Sequence, residues 1–228
     1  MTQASGTEDP RQHAQVFLRP LANPLPLGFV GLAGGTIILT GQQVGWVPTA
    51  EAHLVGVAVL LVAVPLQVVA CLFGFFSRDP AAATGMGILA ATWSAIGVLT
   101  VLSPPGSHSP VLGVLLFYLA GAVLVAAGVA AMSKVLAAVV LALAAARFAV
   151  TGVYEYLGGE GWMRAAGWVG LALCVMALLA AAAFAVEDAR RTLLPATGRL
   201  GRGRASFSAP GLGTIGPVER EAGVRDEL

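Results

Sequence analysis

Charge is scarce in this sequence. Only 11% of its 228 residues are Asp, Glu, Lys or Arg, less than half the roughly 25% of an ordinary soluble domain. A water-soluble fold so poor in charge would expose large apolar areas, which excludes an ordinary soluble enzyme. The formal net charge of +1 removes any global electrostatic argument for nucleic acid or an acidic partner. Lysine occurs once, as Lys134, amid Ala- and Arg-rich usage, a composition that suits a bacterial plasma membrane. Cysteine occurs twice. Cys71 and Cys174 fall in apolar stretches at depths about 9 residues apart, or ~13 Å along helix axes. A disulfide needs Cα atoms within about 7 Å, so both read as small buried hydrophobes. His13, His53 and His108 all lie outside the apolar runs and offer no buried proton relay. No phosphate-cradling loop, metal-ligand cluster, nucleophile triad or carboxylate pair is present, so neither catalysis, a cofactor nor a metal is expected.

Apolar residues fill what charge leaves. They make up 57% of the chain, with a mean hydropathy of +0.82. A helix needs ~20 apolar residues to cross ~30 Å of hydrocarbon, and six segments qualify: 27–46, 54–76, 84–102, 111–131, 135–157 and 166–186. The spacing therefore predicts an all-α membrane protein with six transmembrane helices, whose first partner is the lipid bilayer. Ser103-Pro104-Pro105-Gly106-Ser107 is a firm break, since two prolines cannot continue a helix. The break at 132–134 rests on Ser133 and Lys134 alone.

Basic residues fix the expected orientation. With both termini inside, the inner segments hold Arg11, Arg19, Arg78, Lys134, Arg190, Arg191, Arg199, Arg202, Arg204, Arg220 and Arg225, and the outer connectors hold Arg164 alone. That asymmetry obeys the positive-inside rule and predicts a multi-pass inner (plasma) membrane protein with both termini cytoplasmic. Trp46, Trp162 and Trp168 fall at outer ends, where interfacial aromatics belong. The polar start carries Glu8 and Asp9 and lacks the basic opening of a secretory signal, so the first apolar run is expected to be a span. The divisions are a cytoplasmic segment 1–22, a six-helix domain 23–188, and a Gly-, Pro-, Ser- and Arg-rich tail 189–228 expected to be disordered. The basic part of that tail suits contact with anionic headgroups. Gly28, Gly31, Gly34 and Gly35 on the first span, and Gly113, Gly121 and Gly128 on the fourth, are expected to let helices approach closely.

Asn23-Pro24-Leu25-Pro26-Leu27-Gly28-Phe29 opens the first span. It resembles the Asn-Pro-Ala-Pro-Leu-Gly-Leu signature of the acetate uptake transporter family, the succinate–acetate permease group. Ala166-Gly167-Trp168-Val169-Gly170-Leu171 and Leu194-Pro195-Ala196-Thr197-Gly198 resemble further elements placed there in that family. The resemblance runs from about residue 21 to 198. It implies six helices per subunit, a homo-oligomeric (hexameric) ring with a path through each protomer, and small monocarboxylate cargo, acetate foremost, moved with a proton. It also implies cargo contact at Asn23, Pro24, Pro26, Leu27 and Gly28. The chain departs from the pattern in three places. Leu25 replaces an alanine, Thr92-Trp93-Ser94-Ala95-Ile96 stands where a Tyr-Gly-x-Phe-Trp cluster is usual, and Ser77 stands where an acid ends the second span. It reads as a divergent member.

Polar groups inside spans are costly and face a protein interior or a water path. Arg147, ~18 Å into the fifth span, stands out, because arginine cannot shed its charge. Two readings compete. In one it is a strut, bonded to Thr151, helix carbonyls or Glu155; in the other it presents its planar fork to a permeating carboxylate. Thr36 and Thr40 share a face of the first span, Gln67 lies in the second, and Thr92 and Ser94 in the third. Each suits an interhelical hydrogen bond, and together they suit the wall of a narrow path. Glu155, the one carboxylate well inside a span, is the proton-coupling candidate. Beside a monocarboxylate permease stand two alternatives: a channel for small neutral solutes such as urea or short amides, and a non-transporting membrane scaffold.

Overall fold

Proline and short capping side chains start the helices. Pro24 and Pro26 open α1 (Leu25–Gln43), Pro80 opens α3 (Pro80–Leu102) and Pro110 opens α4 (Pro110–Ala131). Proline suits the first turn, where its missing N–H has no helical partner to lose. Asp79 Oδ1 accepts from Ala82 N at 3.2 Å and Ser109 Oγ from Leu112 N at 3.4 Å, satisfying orphan donors at the α3 and α4 N-termini. The remaining long helices are α2 (Ala52–Phe76), α5 (Val135–Leu157) and α6 (Glu160–Arg190). The structure is a computed structural model describing residues 21–190 and 194–200.

All six helices are long and apolar enough to cross a membrane. Each packs on its chain neighbours and α1 packs on α6, which closes the bundle into a ring. Cys71 and Cys174 are free thiols. The helix ends depart from the apolar windows: α1 stops at Gln43, three residues short of 46, α5 matches its window, and the others begin earlier than expected. At 31 residues, or ~46 Å, α6 begins six residues before the expected span and takes in Glu160 and Arg164, a salt bridge of 3.2 Å at i, i+4. A hydropathy window stops at such charges, whereas the hydrogen-bonded backbone continues through them.

The α4–α5 break falls where Ser133 and Lys134 placed it, and the packing shows why. Lys134 pairs with Asp79, tying the turn to the start of α3. Residues 194–200, expected within the disordered tail, are instead held on the bundle. Leu200 N donates to Ser133 O at 3.0 Å and Val135 N to Gly198 O at 3.2 Å. Gly198 takes a left-handed conformation, φ 58°, with no room for a side chain, because a β-carbon there would lie 2.8 Å from that of Val135. Glu187, fully buried on α6, accepts from Thr197 Oγ1 at 3.0 Å and Arg199 Nε at 2.8 Å. The calls on 1–20 and 201–228 lie outside the described residues.

Glycine sets the closest helix crossings. A β-carbon at Gly56 (α2) would stand 2.8 Å from the Gly97 carbonyl oxygen (α3), and one at Gly113 (α4) 2.9 Å from that of Gly152 (α5). On α1, Gly31, Gly34 and Gly35 abut Leu66, Val62 and Ala63 of α2, as small residues in lipid should. Gly121 and Gly128 depart from that expectation. They are exposed, with nothing within 4 Å, so within the protomer only Gly113 of the three serves packing.

Candidate functional site

The ring end where α1, α3 and α5 finish opens into a vestibule of about 480 Å³, walled by Gln42, Ser103, His108, Ser109 and Glu155, with the buried Gln43 also in its lining. Glu155 Oε2 accepts from Ser109 N at 2.8 Å. It sits two residues from the end of α5 and does not pair with Arg147, which the spacing had left open. An axial offset of eight residues, ~12 Å, is too long a reach.

Arg147 lies at the core, 1% exposed. One terminal nitrogen donates to Thr151 Oγ1 on its own helix and the other to Gln43 Oε1 on α1. Thr151 Oγ1 donates its proton to the Arg147 carbonyl oxygen at 2.8 Å and so meets the guanidinium with lone pairs. The bond to Thr151 that the strut reading named is present, and the link to Gln43 joins two helices that are not ring neighbours. Gly170 of α6 makes the crossing possible. A β-carbon there would collide with Thr40 Oγ1 and lie 2.6 Å from Arg147 Nε. Among the described residues no carboxylate pairs with Arg147, and its Nε has no partner in the protein. A buried charge without a counter-charge is destabilising by several kcal/mol even after relaxation.

Other unpartnered polar atoms follow α1 inward: Thr40 Oγ1, Thr36 Oγ1, the Trp93 indole nitrogen and both amide atoms of Gln67. Trp93 packs 3.1 Å from where a Gly35 β-carbon would stand, and Gln67 Cγ 3.3 Å from the same point at Gly31. From Gly31 to Gln43 these groups run along 12 residues of α1, ~18 Å. Native interiors leave few buried polar groups unsatisfied, so five residues along this length of α1 are a strong concentration. Aromatic rings interrupt it. Trp93 of α3 meets Phe148 of α5 edge-on at 5.8 Å, across the ring, and Phe29 meets Phe184 at 6.0 Å.

Of the sequence candidates, Thr36, Gln67 and Arg147 lie along this stretch. Thr92 does not contribute a free donor, because its hydroxyl bonds the Ile88 carbonyl oxygen at 2.8 Å, and Ser94 does the same with Ala90. Asn23, Pro24, Pro26, Leu27 and Gly28 lie at the other end of α1. There Asn23 Oδ1 accepts from Leu25 N at 3.1 Å, Leu27 is exposed, and Gly28 is covered by Met86. The sequence reading did not single out Gln43, Trp93 or Gly170 as part of a path. One pattern pointed to Gln43: Thr36, Thr40 and Gln43 stand at i, i+4 and i+7, one face of a helix.

No protein-family model and no curated protein matches the sequence. Among solved structures the chain is similar to the bacterial acetate channel SatP, with a TM-score of 0.68 and 21% identity over 77% of this chain and 99% of that one. The six-helix fold expected from the motifs on α1 and α6 is therefore the fold this chain adopts.

Proposed function

We propose that the chain provides a transmembrane path for small monocarboxylates, acetate foremost, as a subunit of a hexameric ring. The observation that carries this reading is the fixed positive charge of Arg147, held without a counter-charge under a vestibule and enclosed by the fold of an acetate channel. Such a site attracts an anion and offers its oxygens strong donors. Arg78, Lys134 and Arg199 at the ring end opposite the vestibule, against Arg164 beside it, support a vestibule facing outward and termini on the inner side of a plasma membrane. Exposed Gly121 and Gly128 on α4, beside a groove lined by Phe117 and Tyr118, suit close approach of a second copy. Glu155, on the vestibule wall, is the carboxylate available for proton coupling.

Proteoliposomes carrying the full-length protein are expected to take up labelled acetate, with a pH response that Glu155→Gln flattens. Urea flux without acetate flux would overturn the reading in favour of a neutral-solute channel, and no flux of either would leave a scaffold.

A further inference from the structure

Gln43 is the last residue of α1, 4% exposed, and contributes to the vestibule wall. Its amide oxygen accepts from Arg147, in the position where a carboxylate oxygen would meet a guanidinium. Two of the five guanidinium N–H groups are engaged in the hydrogen bonds to Gln43 and Thr151, and Nε–H has no partner. The acceptor facing the vestibule is therefore neutral, on a cation with no anion of its own.

We propose that Gln43 and Arg147 form a displaceable floor to the vestibule: a small carboxylate entering it replaces the Gln43 amide oxygen on the guanidinium and binds there in its ionised form. This rests on the monocarboxylate reading and names the seat of the cargo. Exchange favours the carboxylate because an anion adds a Coulomb attraction to the buried cation that a neutral amide lacks, and because the planar fork takes two carboxylate oxygens at once. Gln43 is not orphaned by the exchange, since it sits at a helix end beside the vestibule and can turn its amide into it. Thr151, held by its own helix carbonyl, keeps the guanidinium in place meanwhile. A neutral solute of the same shape lacks the charge and leaves the floor shut.

Thermal unfolding of the full-length protein in detergent tests this, with sodium acetate and its neutral isostere acetamide as probes at matched ionic strength. Acetate is expected to raise the midpoint with the logarithmic concentration dependence of specific binding, and acetamide to leave it unchanged. Gln43→Glu supplies the carboxylate in cis. Its midpoint is expected to rise without ligand and its acetate affinity to fall about tenfold or more. In Arg147→Gln the preference for acetate over acetamide disappears; should that variant fail to fold, Gln43→Glu decides alone. An acetate response of equal size in Gln43→Glu, or acetamide matching acetate in the unaltered protein, overturns the proposal. Labelled-acetate flux separates the two readings. Flux with no effect of Gln43→Glu on binding removes the floor and leaves the permease. Binding blocked by Gln43→Glu, with no flux in the unaltered protein, leaves the site and removes the permease.

Discussion

The two depths at which this bundle buries charge are built on opposite plans. At the end opposite the vestibule, Lys134 meets Asp79, and Arg199 meets a Glu187 that also accepts from Thr197. At mid-depth, Arg147 meets only an amide and a hydroxyl, and the polar atoms below it on α1, α2 and α3 meet nothing in the protein. Low dielectric strengthens a completed polar network and penalises an incomplete one. The paired end is therefore where charge holds the fold together, and the unpaired centre is where stability is given up for something else. Substitutions at the two depths should have effects of opposite sign.

The largest effect is expected at the paired end. Glu187→Ala removes a buried carboxylate that accepts from both Thr197 and Arg199, and with it one half of a buried ion pair. A loss of about 3–5 kcal/mol follows, readable as a lowered unfolding midpoint in detergent. A midpoint unchanged by this substitution would break the comparison at its stronger side. Next comes Gln67→Met at the centre. It replaces two unpartnered polar atoms with an apolar side chain of similar length and is expected to raise stability by about 1 kcal/mol, while slowing acetate flux. Destabilisation instead would show that Gln67 is satisfied in the membrane and belongs with the structural set. Smallest is Thr92→Val. Its hydroxyl only returns to its own helix, and both stability and flux should stay within about 0.5 kcal/mol or its equivalent in rate. A large flux defect there would return Thr92 to the path.

Much of this fold was legible because hydropathy and proline act locally. Six runs gave six helices, and the break at Ser133-Lys134 was correct although two residues carried it. What stayed hidden is tertiary. Residues 194–200 have the composition of a tail, yet Glu187 and the α4–α5 turn capture them through hydrogen bonds that no local pattern announces. Arg147 was conspicuous by depth alone. Its partner Gln43 was not, because a glutamine near a helix end looks interfacial, and only the bare backbone of Gly170 leaves room for the Arg147 guanidinium beside α1. Thr92 and Ser94 misled for a related reason: depth does not reveal whether a hydroxyl has already spent its proton on the carbonyl four residues back.

The glycine crossings bear on how such a bundle moves. Gly113 and Gly152 bring α4 and α5 together backbone to backbone, and Glu155 fastens their vestibule ends through Ser109. No glycine joins backbones in this way across α3·α4 or α5·α6. The α4–α5 hairpin is thus a leaf, stiff in itself and lightly seamed along both edges. Its tip is pinned at Lys134 by Asp79 and on either side by the backbone of Gly198 and Leu200. This leaf bears both Arg147 and Phe148, the two residues that reach across the ring to Gln43 and Trp93. Pivoting about that pinned tip would part both cross-ring contacts in a single swing, without unwinding a turn of helix.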